Sequence, residues 1–384
     1  MLKRPICRQA SVLFVLFAIT LVGGCASQPM RADYTMDMST NAAVLDIEDA
    51  RVWADDPRIA NGGLWSPNIL SDSRGPVSML TLSGGGAEGA FGAGLLSGWS
   101  QTGNRPSFSV VSGTSAGALL APFAFLGPRY DPVLEQFFTR VRTSKLVRVA
   151  GLSAIFGESV FSAQPLKNMI AHYVTPQLLE DIAREHAKGR RLYVITTNID
   201  TQRTAIWNMG AIASSTSPHA LELFRQILLA SASIPGVLPP QQISVAHKDH
   251  IFQEMHVDGG VTANIMLLPE SILKAGDNRN LPKKPTIYLL FNGKIGHEYK
   301  LVKPHTVSIL ERAFGTAIKA SSRQSILAAQ QFANRHGWQL KLAALRTDFE
   351  LPIPEVKLDE QQLSNLFQEG LRVGQQPDAW RDGL

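Results

Sequence analysis

The chain has 384 residues, 45% of them hydrophobic, with 37 Lys and Arg against 32 Asp and Glu for a formal charge of +5. Charged residues make up only 18%, the balance of a globular protein with a sizeable core, which excludes disordered and collagen-like chains. Five excess positive charges over this length are too weak a field to imply nucleic acid. Two cysteines cannot build a disulfide framework, and one N-terminal apolar run excludes a polytopic membrane protein.

Lys3, Arg4 and Arg8 precede an apolar run over 12–22. That run is shorter than the roughly 20 residues of a spanning helix and has the layout of an export signal. Val22-Gly23-Gly24-Cys25 resembles a bacterial lipobox. The resemblance implies cleavage after residue 24, lipidation of Cys25 and a membrane attachment through that lipid. Ala26 in place of Asp implies sorting to the outer membrane, facing the periplasm. Residues 1–24 are then a lipoprotein signal peptide, and 25–75 a tether and N-terminal embellishment with one helical stretch over 44–54. Cleavage leaves 34 basic and 32 acidic groups, so most of the basic balance is an export signal.

From Val77 the pattern changes. The spacing predicts a buried strand over 77–82 ending in glycines, a helix over 87–99, a strand over 108–112 and an apolar helix from Ala116 to about Leu126. Helices follow over 163–188 with a break at Thr175-Pro176, then strands over 192–197 and 204–207. Residues 218–230 read as a helix, 242–257 as a hairpin turning near Lys248-Asp249, 286–291 as a strand and 305–335 as a helix. Strands alternating with helices predict an α/β sheet covered on both faces. The predicted divisions are a catalytic domain over 76–345 and a C-terminal extension over 346–384.

Three separated features carry chemistry. Gly113-x-Ser115-x-Gly117 lies between a strand and a helix, the pattern of a nucleophile elbow in which glycines permit a turn that would crowd any Cβ. Gly84, Gly85 and Gly86 end the strand over 77–82, where bare amides can face a developing oxyanion. The same loop satisfies G-x-G-x-x-G through Gly84, Gly86 and Gly89, but a dinucleotide site wants an acidic residue about 20 positions on. No Asp or Glu occurs over 90–130, which argues against that reading. Third, Asp258-Gly259-Gly260 follows a predicted strand, where the carboxylate is either a base for a serine or an ordinary turn former.

In this order and spacing the three motifs resemble the patatin-like phospholipases, as does Ala230-Ser-Ala-Ser-Ile-Pro-Gly-Val-Leu-Pro239. The resemblance covers roughly residues 76–300. It implies a three-layer α/β/α sandwich with a mostly parallel central sheet, and a lipid or other acyl-ester substrate cleaved without a cofactor or metal. It also implies a Ser115–Asp258 dyad in place of a triad, with Gly84, Gly85 and Gly86 as the oxyanion hole and Gly113 and Gly117 as the elbow. One position departs from the family pattern: Glu88 stands where an Arg or Lys is common.

Rival readings remain. A Ser-Asp-His esterase would draw on His256, His297, His305 or His336, of which His256 shares a strand face with Asp258. His247-x-x-His250 lies in a predicted turn, where a metal site has no thiolate support. A non-catalytic envelope lipoprotein could keep the same fold as a binding module. Arg140, Arg142, Lys145 and Arg148 form a basic cluster that reads as a solvated face or a contact for anionic headgroups.

Overall fold

Residues 77–82 are apolar without a break, as suits a strand buried on both faces, and they form β2 (Ser78–Leu82), fully buried. The computed structural model describes residues 31–44, 47–60, 77–139, 148–149, 161–270, 284–349 and 360–383. The expected signal peptide over 1–24, Cys25, Arg140, Arg142 and Lys145 lie outside them. The other strands are β1 (Arg51–Trp53), β3 (Val110–Thr114), β4 (Arg148–Val149), β5 (Phe161–Ser162), β6 (Arg191–Asn198) and β7 (Arg203–Asn208). They continue with β8 (Gln241–His247), β9 (His250–Asp258), β10 (Thr286–Phe291), β11 (Gln339–Ala344) and β12 (Arg381–Asp382). β4 and β5 pair with each other, and the remaining ten form one sheet.

The sheet path is β1-β7-β6-β3-β2-β10-β11-β12, with β9 joined to β6 and β8 to β9. The central strands β6, β3, β2, β10 and β11 run parallel, and antiparallel pairs finish both edges. Alternate residues face opposite ways. Leu80, Leu82, Val111, Leu192 and Val194 join one core with α1 (Gly89–Gln101), α2 (Ala116–Leu126), α3 (Asp131–Thr139), α4 (Gln164–Tyr173), α5 (Pro176–Ala187) and α6 (Ala220–Ser231). Met79, Val110, Tyr193, Ile195, Ile287 and Leu289 join the other, covered by α7 (Thr306–His336). This is the α/β/α sandwich with a mostly parallel sheet that the sequence predicts. Each fully buried aliphatic side chain stabilises it by roughly 1.5–3 kcal/mol.

One register detail positions the site. β3 pairs with β6 from Val110↔Arg191 as far as Thr114↔Ile195. β9 then takes over the same edge, with Asp258 opposite Thr196. The residue after β3 and the last residue of β9 therefore meet. They are Ser115 and Asp258.

The described parts of both flanking segments pack against this sheet and its helices. In place of the helix expected over 44–54, the described residues form turns and β1, which pairs antiparallel with β7. Long-range pairing overrides the local spacing there: the buried Arg51 guanidinium lies 4.4 Å from the Trp53 ring and pairs with Glu254 of β9. Ser39 Oγ donates to the same carboxylate at 2.6 Å. At the other end, α8 (Glu360–Gly374) lies along α1 so closely that a Cβ on Gly94 would sit 1.9 Å from the Phe367 carbonyl oxygen. β12 extends the sheet beside β11, and Trp380 packs on Trp99 with ring centres 4.7 Å apart.

Glu254→Ala would strand the Arg51 charge in the interior. The expected loss is roughly 3–5 kcal/mol of unfolding free energy, measurable by urea denaturation; a loss under 1 kcal/mol would show that the charge finds water or another partner.

Candidate active site

Ser115 follows β3 and caps α2 with φ 55° and ψ −122°, a conformation that L residues rarely adopt. The two glycines around it permit the turn. A Cβ on Gly113 would lie 2.2 Å from the Gly117 carbonyl oxygen, and one on Gly117 would lie 2.3 Å from that of Leu82. The elbow read from the sequence is thus a steric necessity, and it lifts the serine hydroxyl out of the strand toward β9.

Ser115 Oγ donates to Asp258 Oδ2 at 2.6 Å, and the Gly260 amide donates to Asp258 Oδ1 at 2.7 Å. Both side chains are buried, Ser115 to 6% and Asp258 to 3% exposure. Burial pushes the Asp258 carboxyl up to about 7, with the hydrogen bonds from Ser115 and Gly260 pulling the other way. A carboxylate that is a feeble base in water becomes a competent one near neutrality.

Both backbones are held by the end of α6. Ser231 Oγ accepts from the Ser115 amide at 3.0 Å and donates to the Ile195 carbonyl at 2.6 Å. The Ser233 carbonyl accepts from the Asp258 amide at 2.9 Å. The segment Ala230-Ser-Ala-Ser thus fixes the distance between the two groups.

The glycine loop approaches from β2. A Cβ on Gly84 would lie 3.1 Å from Ser115 Cβ, so Gly84 allows the loop to abut the serine. Its own amide is committed to the Asn264 carbonyl at 3.3 Å, which removes it from the three expected oxyanion donors. Gly85 fits against the Asn292 backbone, and above Gly86 (φ +56°) there is open space. Asn292 locks the loop base: its Nδ2 donates to the Ser83 carbonyl at 2.7 Å and its amide donates to Ser83 Oγ at 2.8 Å. Glu88 lies just beyond, half-buried. Burial, with Glu298 adding to it, raises its carboxyl to about 7, while Lys319 and Lys294 pull it back.

A protein-family model described as patatin-like phospholipase matches residues 80–269. Residues 80–269 are a patatin-like phospholipase domain. Membership implies lipid acyl hydrolase activity. Among solved structures, VipD from Legionella pneumophila is similar at 13% identity, over 92% of this chain and 71% of that chain, with a TM-score of 0.41. That likeness is too loose to transfer any property. No curated protein matches the chain.

The patatin-like domain brings Ser115, Asp258 and the glycine loop together and keeps the histidines apart from them. His256 is fully buried, with Nδ1 2.9 Å from Thr196 Oγ1 and Nε2 3.1 Å from Glu254 Oε2. It shares the Asp258 face, but its ring is turned into the Arg51–Glu254 pair. His297 accepts from Arg323, and His336 packs on Phe332. His305 precedes the first turn of α7. His247 and His250 flank the hairpin turn and lie near the Asn41 and Asp33 carbonyls. Among the described residues no group of three His, Cys, Asp or Glu could hold a metal. Ser231, Asn264 and Asn292 carry no motif; Asn292 could have been suspected from its place directly after a parallel strand, where α/β folds gather their ligands.

Because the folded-state pKa of Asp258 lies above the roughly 3.9 of a free carboxyl, the native state holds this proton more tightly. Stability is therefore lost as pH climbs from about 4 through about 7. Asp258→Asn should melt higher than wild type above neutrality, with the gap closing toward pH 4; a pH-independent gap in a thermal-shift series would contradict the buried-carboxyl picture.

Proposed function

We propose that this protein is a serine acyl-ester hydrolase working through a Ser115–Asp258 dyad. The observation that carries the reading is the 2.6 Å hydrogen bond between Ser115 Oγ and a buried carboxylate, with no histidine bonded to either residue among the described ones. Ser115 Oγ attacks the ester carbonyl as Asp258 takes its proton. The carbonyl electrons move to the oxygen, and we assign its stabilisation to the Gly85 and Gly86 amides and the N-terminus of α2. Collapse expels the alcohol, which receives the proton from Asp258. Water then adds to the acyl-serine, giving one proton to Asp258; collapse breaks the bond to Ser115 Oγ, which takes that proton back from Asp258 as the carboxylic acid leaves.

A fluorophosphonate should label the wild-type chain and fail on Ser115→Ala. Asp258→Asn should cut ester turnover by about 10²–10⁴-fold, while His256→Gln or any substitution of another histidine in a folded protein leaves the dyad intact. Since Asp258 must be ionised to accept the proton, kcat/KM should rise with pH through about 7 and level off. An unlabelled wild type would favour a binding module, and loss of turnover in a folded histidine variant would favour a triad.

The lipobox resemblance supports a further part of the reading. The chain is exported, acylated on Cys25 and held at the outer membrane facing the periplasm, where acyl-ester substrates are at hand. Metabolic labelling with palmitate should mark the wild type and be absent from Cys25→Ser; label that persists in the variant rules the anchor out.

A further inference from the structure

Four large apolar side chains lie open to solvent within a dozen residues. Tyr299 is 93% and Leu301 81% exposed in the segment between β10 and α7, and Ile309 and Leu310 are 51% and 63% exposed in the first turn of α7. Apolar surface concentrated this way marks a contact with something apolar. Charge is interleaved with it. From Lys294 to Arg323 there are six Lys and Arg against two Glu, so this short stretch holds nearly as much positive excess as the whole chain.

Several of those cations line one open cleft of about 400 Å³ between the segment and α7. Lys300, Lys303, Arg312, Lys319 and Arg323 contribute to it, with Glu298 the one acid among its described lining residues. Glu298 pairs with Lys319 and lies 3.8 Å from Lys294. The cleft adjoins the candidate site through α7 itself. Ser322 Oγ accepts from Asn264 Nδ2 at 2.9 Å, and Ile318 lies 3.7 Å from where a Cβ on Gly260 would be.

We propose that this face seats the protein on an anionic lipid bilayer. Tyr299, Leu301, Ile309 and Leu310 enter the interface, and phosphate-bearing headgroups settle in the basic cleft. Apolar tips carry the insertion, and surrounding Lys and Arg draw the surface to a negatively charged leaflet. The orientation presents the Ser115 side of the sheet to the bilayer, which deepens the hydrolase reading; docking itself requires no turnover.

The test uses the full chain with Cys7 and Cys25 replaced by Ser and an NBD fluorophore on Leu301→Cys. Vesicles of phosphatidylcholine with a third phosphatidylglycerol should shift NBD emission to the blue and raise it at least about threefold. Phosphatidylcholine alone should do far less. A label at Ile251→Cys, an exposed position on the β8–β9 hairpin, should stay unchanged. Lys300→Glu with Lys303→Glu should weaken partitioning roughly tenfold. The same shift in Ser115→Ala would separate docking from catalysis. A label at 301 that stays in water on vesicles carrying the protein, equal responses at 301 and 251, or no preference for the anionic lipid would each overturn the proposal.

Discussion

The arrangement turns on a buried carboxylate that has no compensating cation among the described residues. Asp258 is hydrogen-bonded to a serine hydroxyl and one backbone amide, and the two together stabilise its charge less than bulk water or an arginine would. The cost of keeping it ionised is what raises its proton affinity. The same desolvation therefore weakens the fold and strengthens the base. A histidine would have removed both effects by sharing the charge.

Much of the surrounding structure serves to hold that unfavourable pair in place. The hand-over from β3 to β9 along one edge of β6 puts the two residues side by side before any side chain is considered. Ser231 and Ser233 then tie both backbones to the end of α6, and the positive φ of Ser115 is maintained by close contacts that leave its neighbours no room for a Cβ. Strain and desolvation at this point are balanced by the two apolar cores on either side of the sheet.

The parts legible in the sequence were those encoded by local geometry. Gly113, Ser115 and Gly117 announce a turn with one steric solution, and Asp258-Gly259-Gly260 announces a strand end. The central strands were legible from their unbroken apolar runs. The helix expected over 44–54 fails because Arg51 finds its partner 203 residues away, beyond any local pattern. Gly84 was grouped with its neighbours because sequence gives no sign that its amide is taken by Asn264. Alternation along β9 correctly placed His256 on the Asp258 face, but the direction of the ring depends on Thr196 and Glu254.

The close seating of α8 on α1 has a temporal consequence. α1 begins directly after the glycine loop, and its backbone is in contact with a helix from residues 360–374. The loop beside Ser115 is therefore braced by a segment that leaves the ribosome well after the loop itself. A chain emerging N-terminus first presents Ser115 and Asp258 before the brace arrives, so the packing behind the glycine loop is completed only once residues 360–374 have emerged.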